Sequence, residues 1–262
     1  MTSPDAPKEE LQPPSYAIVG MGSWGRRMQG ILSADRTVTG VEGVRRRGEE
    51  SLAAYIARLS ESLRRTGAKV AWICVSPGPH VAAMVEAALL ADLHVVVEKP
   101  WLNSPNETER LQELASRRKK IVGVHYQYCF LGEVERWRHE FSSGAGLEFG
   151  GRFTVSRGNR LGIDAIDNLG SHLVSIWNYA VPQAAIMRIE CGYEMSDERK
   201  VWLERAGKPV ATIDFVANSE PLIQRYRAAL EAAIAGAHFS FSLDFALCVA
   251  RLTQRLKQSA GR

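Results

Sequence analysis

A lysine that directly follows an apolar strand is the residue most clearly placed for chemistry in this chain. Lys99 lies between Glu98 and Pro100, at the end of the apolar run 93–97. Open α/β sheets bind ligands in the crevice at the carboxyl ends of their strands, so we expect Lys99 to face such a crevice. The alternative is a surface lysine before a proline turn. That interpretation is weaker, because the lysine closes a buried-looking strand.

Three glycines earlier in the chain have the spacing of a dinucleotide-binding turn. Gly20, Gly22 and Gly25 follow an apolar strand and open a helix, with Ser23 and Trp24 between the last two. The first glycine permits a tight turn, the second lets a pyrophosphate approach the backbone, and the third packs helix against strand. Alone, the pattern is only a glycine-rich turn. Followed by the later lysine, it predicts a nicotinamide-dependent oxidoreductase.

The end of the second predicted strand should decide between NAD and NADP. An acidic residue there favours the free ribose hydroxyl, whereas an arginine favours the 2′-phosphate. Glu42 suits the first role, but Arg45 and the two arginines after it could clamp a phosphate bidentately. We therefore expect NAD(P) as the cofactor, with a slight preference for NADP.

Two further segments are expected to border the nucleotide. Ser76, Pro77 and His80 belong to the turn after the third predicted strand. Ser76 can equally end that strand, and His80 can equally begin a helix, so both interpretations stay open. Glu98 and Lys99 are counted among the cofactor contacts as well.

The first half of the chain alternates strands and helices. Predicted strands cover 16–19, 37–41, 70–75, 93–97 and 121–124, and predicted helices cover 24–33, 49–65, 80–90 and 104–118. This alternation predicts right-handed crossovers and a parallel sheet that is covered on both faces. We assign residues 15–124 to this dinucleotide-binding domain.

After residue 124 the alternation ends. Helical patterns cover 130–141, 166–180, 220–235 and 243–258, and strand patterns cover 152–157, 187–194, 199–204 and 209–216. We interpret the last three strands as antiparallel, with a turn at 206–208 between the final two. The predicted fold class is α/β: a Rossmann doubly wound parallel sheet, followed by an α+β domain at 125–262 with a mainly antiparallel sheet.

Composition narrows the class of protein. Hydrophobic residues make up 45% of the 262 residues and charged residues 24%, which is typical of a globular protein with two modest domains. The four cysteines have neither a C-x-x-C pair nor metal-ligand spacing, which predicts reduced thiols, no metal site and a cytoplasmic location. The proline-rich residues 1–14 are expected to form a disordered tail.

Charge and hydropathy bear on the partners. No run of roughly 20 uninterrupted apolar residues is long enough to cross a bilayer, and the N-terminus lacks the apolar core of a secretion signal, so no membrane partner is expected. The net charge is +4, with basic runs at 45–47 and 117–120. These runs are short and lack interleaved aromatic residues, so we expect no nucleic acid either. A small anionic ligand is compatible with the same charge.

These motifs resemble those of the Gfo/Idh/MocA family, the glucose-fructose oxidoreductase and inositol dehydrogenase group. The resemblance rests on residues 17–25, 95–100, 168–172 and the closing helix from 220, and it covers roughly residue 16 to the C-terminus. It implies hydride transfer at the junction between a Rossmann domain and an α+β domain. It also implies a homo-oligomer, such as a dimer, formed through the sheet of the second domain.

The resemblance gives catalytic roles to Lys99 and His172. Lys99 is implied to contact the reacting oxygen, and His172 to act as general acid or base. An ammonium suits a developing alkoxide, and a lysine becomes a base where burial lowers its pKa. Histidine titrates near neutrality and suits proton exchange with a hydroxyl group, although a lone histidine is more often structural.

Position 168 departs from the family pattern. Relatives usually carry aspartate there, one helical turn before the histidine on the same face, whereas Asn168 cannot take a proton. We hypothesise that Asp164 compensates, or that the substrate differs from an ordinary sugar alcohol; Asp167 is the other nearby carboxylate.

His125 and Gln127 follow the last Rossmann strand and are expected to line the substrate pocket, with a plain interdomain crossover as the alternative. The expected substrate site comprises Lys99, His125, Gln127, Asp164, Asn168 and His172.

Three functions fit these observations. The leading one is an NAD(P)-dependent dehydrogenase or reductase that transfers hydride between nicotinamide and a hydroxyl or carbonyl carbon of a small polar sugar, cyclitol or derivative. Asn168 and the short second domain also fit a non-catalytic NAD(P)-binding sensor or partner subunit. The third is an enzyme that uses transient oxidation to drive elimination or hydrolysis.

Overall fold

A parallel sheet of five strands forms the first half of the protein. The structure is a computed structural model that describes residues 13–41, 46–215 and 220–260. The strands are β1 (Tyr16–Val19), β2 (Val38–Val41), β3 (Val70–Ile73), β4 (His94–Glu98) and β5 (Val122–His125). Their order is β2-β1-β3-β4-β5, and every neighbouring pair is parallel. The order reverses between β1 and β3, so a ligand crevice is expected at the carboxyl ends of these two strands.

Helices connect the strands of this sheet as predicted. They are α1 (Ser23–Leu32), α2 (Leu52–Arg65), α3 (His80–Leu90) and α4 (Pro105–Arg117). The predicted start of the second helix at residue 49 is too early, because Ser51 caps α2 by accepting a hydrogen bond from the Ala54 amide at 3.1 Å. α4 begins with a capping box between Ser104 and Glu107.

The second sheet has the order β7-β6-β8-β9. Its strands are β6 (Leu147–Val155), β7 (Ala185–Tyr193), β8 (Glu198–Arg205) and β9 (Lys208–Asp214). β8 pairs antiparallel with both β6 and β9, but β7 lies parallel to β6. The prediction of three antiparallel strands is therefore wrong for β7. The chain between β6 and β7 contains a crossover helix, which lets the two strands run in the same direction.

β6 is longer than the sequence pattern indicated. It begins at Leu147 rather than at residue 152, because Gly150 and Gly151 interrupt the apolar signal. A Cβ atom at Gly150 would overlap the indole ring of Trp202 on the neighbouring strand. This glycine therefore makes room for a tryptophan on the neighbouring strand.

Four helices complete the described chain. They are α5 (Gly132–Glu140), α6 (Ser171–Ala180), α7 (Glu220–Ile234) and α8 (Leu243–Ala260). A 3₁₀ turn, Gln127–Phe130, precedes α5, and a π-helical turn, Ile166–Gly170, precedes α6. The observed fold class is the predicted one, a Rossmann sheet followed by a second domain with a mixed sheet.

The last two helices return the chain to the first sheet. The Tyr16 hydroxyl of β1 donates to Glu231 Oε1 of α7 at 2.7 Å, and the Val124 amide of β5 donates to the Phe241 carbonyl at 3.0 Å. Within the described ranges, no helix is long and apolar enough to cross a membrane. The predicted tail falls mostly on residues 1–12, which lie outside the described residues, and the domain boundaries stay a prediction.

Candidate active site

The glycine turn after β1 has the geometry that an anionic group requires. Gly20 has a φ of +94°, which favours glycine, and a Cβ atom at Gly25 would overlap the Gly20 carbonyl oxygen. Gly22 has no neighbouring heavy atom within 4 Å of an added Cβ position, and no side chain caps α1 there. The open amide groups at the start of α1 therefore fit the pyrophosphate of a dinucleotide.

The other predicted cofactor contacts border the same turn. Ser23 is exposed at the first position of α1, and Trp24 is half-buried beside it. After β3, Ser76 and His80 are exposed and Pro77 is half-buried. The two turns adjoin, because a Cβ atom on Gly20 would lie 2.6 Å from a methyl group of Val75.

The residues chosen to distinguish NAD from NADP cannot be placed. Glu42 and Arg45 both lie outside the described residues. Arg46 and Arg47, which follow them, are exposed. The preference for NADP therefore stays a prediction.

Lys99 directly follows β4 and is held by a residue from the second half of the chain. Its ammonium nitrogen donates to the Asn168 carbonyl oxygen at 2.9 Å and to Asn168 Oδ1 at 2.8 Å. Burial lowers the pKa of Lys99 to about 8; the carboxylate of Glu98 opposes this effect and the charge of Arg157 adds to it. A lysine with this pKa can give or take a proton near neutral pH.

Asn168 is directed to Lys99 because it lies in the π-helical turn. We expected it to share a face with His172, four residues later. A π turn is wider than an α turn, so side chains four residues apart no longer stack. The amide group of Asn168 instead donates to the Tyr193 hydroxyl at 2.7 Å, while its oxygen accepts from Lys99.

His172 is buried in an aromatic setting beside Lys99. Its ring stacks on Phe153 with centroids 5.0 Å apart and meets the edge of Tyr128 at 4.8 Å. Burial lowers the pKa of His172 well below its usual range, and the charges of Lys99, His125 and Arg199 lower it further. Its buried Nδ1 has no hydrogen-bond partner among the described residues. The imidazole is therefore neutral at physiological pH.

The nearby carboxylates contact the start of the π turn and α8. Asp164 Oδ1 accepts from the Ile166 amide at 2.8 Å and lies 3.7 Å from Lys257 Nζ. Asp167 Oδ2 forms an ion pair with the same lysine at 2.7 Å. Their described hydrogen bonds and ion pairs do not involve His172, so nothing in this geometry supports Asp164 as a substitute for the missing aspartate.

His125 lies in the core, where we expected a pocket-lining residue. It is 0% exposed, and its Nδ1 donates to Glu98 Oε1 at 3.0 Å. The same oxygen accepts from the Trp72 indole at 2.9 Å. The aligned positions of Glu98 and His125 in β4 and β5 explain this contact. Gln127 is also buried, and its Oε1 lacks a partner among the described residues.

Comparison with known proteins agrees with this geometry. Residues 15–126 match the model of the GFO_IDH_MocA family, described as an oxidoreductase family with an NAD-binding Rossmann fold. Residues 15–126 are therefore similar to the NAD-binding Rossmann domain of the Gfo/Idh/MocA family. The uncharacterized oxidoreductase YfiI of Bacillus subtilis is 37% identical over 68 residues, which are 26% of this chain and 17% of that relative. The alignment thus spans well under two thirds of the relative's length.

Solved structures share the fold of this protein over nearly the whole chain. An inositol dehydrogenase homolog from Azotobacter vinelandii, complexed with NADH and myo-inositol, is 16% identical with a TM-score of 0.72, covering 96% of each chain. An oxidoreductase from Pseudomonas syringae is also 16% identical, with a TM-score of 0.71, covering 93% of this chain and 95% of its own. At this level of identity, the likeness shows the fold.

The site includes three residues that the sequence motifs did not reveal. Phe153, Arg157 and Arg199 lie near Lys99 and His172, and Tyr128 of the segment after β5 lies beside them. The alternation of side chains along β6 and β8 was the only signal for Phe153 and Arg199, and it predicts the face of the sheet on which a residue lies but not the residues that it contacts. Among the described residues, no group of three or more acidic, histidine or cysteine side chains is placed to hold a metal ion.

Proposed function

We propose that this protein is an NAD(P)-dependent dehydrogenase or reductase that acts on a hydroxyl or carbonyl carbon of a small polar sugar, cyclitol or derivative. The observation that carries the proposal is the pairing of Lys99 with Asn168, beside His172 and at the same sheet edge as the glycine turn. The family supports the cofactor class. The myo-inositol bound by the Azotobacter neighbour supports a polyhydroxylated substrate.

Lys99 is the better proton-transfer group of the two predicted catalytic residues. A bound nicotinamide supplies the hydride donor or acceptor. Two amine hydrogens of Lys99 are committed to Asn168, which leaves the third position of the nitrogen for the substrate oxygen. When charged, Lys99 donates a proton to a developing alkoxide. When neutral, it accepts the hydroxyl proton through its lone pair.

His172 then has an orienting role. Its depressed pKa makes the protonated imidazole costly next to the Lys99 ammonium, so it is a poor base. A neutral imidazole still offers one donor and one acceptor to a substrate hydroxyl. We therefore assign His172 to hydrogen bonding with the substrate and Lys99 to the proton.

Replacement of Lys99 by alanine tests the proposal. We expect NADH and NADPH titrations, followed by nucleotide fluorescence, to give dissociation constants within a few-fold of wild type. Turnover on a polyol and ketose panel should fall about 10²- to 10⁴-fold. Lys69→Ala is the matched control, because Lys69 is exposed at the opposite end of the same sheet. Equal turnover in Lys99→Ala would contradict the proposal, and tighter NADH than NADPH binding would reverse the preference for NADP.

A non-catalytic NAD(P)-binding protein is the second candidate. The observation in its favour is that Asn168 replaces the expected acid and the nearby carboxylates bond elsewhere. Tight nucleotide binding without turnover on the whole panel would favour this function. If a product forms without net oxidation or reduction, transient oxidation coupled to elimination or hydrolysis is the better assignment.

A further inference from the structure

We propose that the substrate carries an anionic group, a carboxylate or a phosphate, which Arg157 and Arg199 bind beside Lys99. The inference rests on the proposed function, since it concerns the same cleft, and it narrows the substrate class. Neither arginine belongs to the motifs that define the cofactor turn or the Lys99 segment.

Arg199 faces the cleft because of its position in β8. Val201 and Leu203 are fully buried on the inner face of the sheet, and alternation places Arg199 on that same face. Its guanidinium carbon lies 5.4 Å from the centroid of the Phe153 ring. Phe153 in turn stacks on His172, so Arg199 is one aromatic ring away from the imidazole.

Arg157 lies two residues past the end of β6, close to Lys99. Phe153 and Val155 are buried on the inner face of β6, and the chain bends at Arg157, whose side chain is exposed. The charge of Arg157 lowers the pKa of Lys99. Burial raises the pKa of Tyr128, and the charges of Arg157 and Arg199 act against this rise. Arg157 therefore lies close to Lys99, and Arg199 lies close to His172.

The pairing of arginines differs between the two faces of this sheet. On the outer face, Arg152 forms ion pairs with Glu190 at 2.9 Å and with Glu198 at 2.7 Å. Among the described residues, the guanidinium groups of Arg157 and Arg199 have no carboxylate within ion-pair distance. The charge of Arg152 is thus neutralised within the sheet, whereas the charges of Arg157 and Arg199 are available to a ligand.

The charge balance of the cleft favours an anion. The negative charge of Glu98 acts against the lowering of the Lys99 pKa. The charges of Arg157 and Arg199 help to lower the pKa of Asp197, so this carboxylate lies near both arginines. The oxygens of Asp197 already accept from the Ser156 amide at 2.8 Å and from its hydroxyl at 3.2 Å. Three cationic side chains, Lys99, Arg157 and Arg199, thus lie near two carboxylates, Glu98 and Asp197. A guanidinium is the side chain best shaped for two parallel hydrogen bonds to a carboxylate or phosphate.

Calorimetric titration of the NADH-loaded full-length protein tests this inference. The probes are inorganic phosphate, D-glucuronate and uncharged D-glucose, and the variants are Arg157→Gln and Arg199→Gln. Arg152→Gln is the matched control, since it removes the same charge from the outer face of the same sheet. Arg199→Lys keeps the charge without the forked geometry, and melting curves confirm that each variant folds.

We expect phosphate or D-glucuronate to bind wild type and Arg152→Gln equally, and each cleft variant about 10-fold or more weakly, as for the loss of a charged hydrogen bond. Arg199→Lys should be intermediate. Binding of phosphate alone indicates a phosphorylated substrate, and binding of D-glucuronate alone a carboxylate. The inference is overturned if neither anion binds the NADH-loaded protein, if the cleft variants bind them as wild type does, or if D-glucose binds as tightly as D-glucuronate.

The NADH titration separates this inference from the proposed function. Failure of the wild-type protein to bind NADH would remove the proposed function and the inference with it. Normal NADH binding without anion binding would remove the inference alone. A cleft variant that loses NADH affinity instead would show that its arginine contacts the cofactor, which also overturns the assignment.

Discussion

The pKa of Lys99 is low because its nitrogen is buried and its hydrogen-bond partner is uncharged. Its nitrogen is desolvated at the end of β4, and its two hydrogen-bond acceptors both belong to the uncharged residue Asn168. An aspartate at that position would stabilise the ammonium and raise the lysine pKa. The amide therefore keeps Lys99 near a pKa of about 8, which is suited to proton transfer.

The pH dependence of kcat/KM should report this lysine. Below its pKa of about 8, Lys99 is protonated and serves reduction; above it, the neutral amine serves oxidation. We expect the oxidative rate to rise about tenfold per pH unit up to pH of about 8 and then level, and the reductive rate to fall above it. Lys99→Arg, which cannot release a proton, should abolish both limbs.

The prediction is wrong if the pH profile of kcat/KM has a single inflection near the ordinary pKa of histidine and none near pH 8. Such a profile would make His172 the base and Lys99 only a fixed charge. Measuring both directions with the same nucleotide pair separates a catalytic pKa from a change in substrate ionisation.

At the scale of single residues, the sequence predicted positions better than contacts. The location of Lys99 follows from the strand before it, and that of the three glycines follows from the turn they form. The partner of Asn168 could not be predicted, because a π turn leaves no recognisable pattern in the sequence and alters which side chains share a face. His125 was misplaced for a similar reason: only the register of β4 against β5 shows that it meets Glu98.

At the scale of elements, the start of β4 contains a pH-sensitive contact. His94 Nδ1 accepts a hydrogen bond from the Ile121 amide at 3.1 Å, which requires the unprotonated ring nitrogen. Burial lowers the pKa of His94 to about 4, and the charge of Lys120 lowers it further. The folded protein therefore binds fewer protons at this position than the unfolded chain does.

This linkage predicts a loss of stability as the pH falls. The contribution of His94 is fully present above pH of about 6.5 and is lost as the pH drops toward 4, at a cost of roughly 2 kcal/mol after allowance for solvent screening. His94→Asn keeps an acceptor for the Ile121 amide but does not titrate. Urea unfolding at pH 7 and at pH 4.5 should show a smaller decline for the variant, and equal declines would refute the linkage.

Element types were predictable where the local pattern dominates. The alternation of apolar strands and helices up to residue 124 gave the parallel sheet, whose buried strands carry continuous apolar runs. The direction of β7 was not predictable in this way. Parallel or antiparallel pairing is decided by the path of the chain through α6, and a strand carries no local mark of its partner's direction.

At the scale of the whole molecule, α7 joins the end of the chain to its beginning. Glu231 accepts from the Tyr16 hydroxyl at 2.7 Å and from Arg36 at 2.8 Å, and Arg227 bonds Asp35. The helix was predicted from its pattern, but its docking site was not, because contacts across some 200 residues leave no local signal. Formation of a homo-oligomer through the second sheet stays a prediction.

Glu231→Gln should destabilise the whole protein, which should still unfold in a single transition. The change leaves Arg36 without its bidentate carboxylate in a setting where both side chains are 16% exposed, so we expect a loss of roughly 1–3 kcal/mol. Glu61→Gln is the matched control, since Glu61 forms exposed ion pairs with Arg64 and Arg65 and its loss should matter little. Urea unfolding followed by circular dichroism measures both. If α7 couples the two halves, the transition stays single and shifts to lower urea, whereas two separate transitions would show that the halves unfold independently.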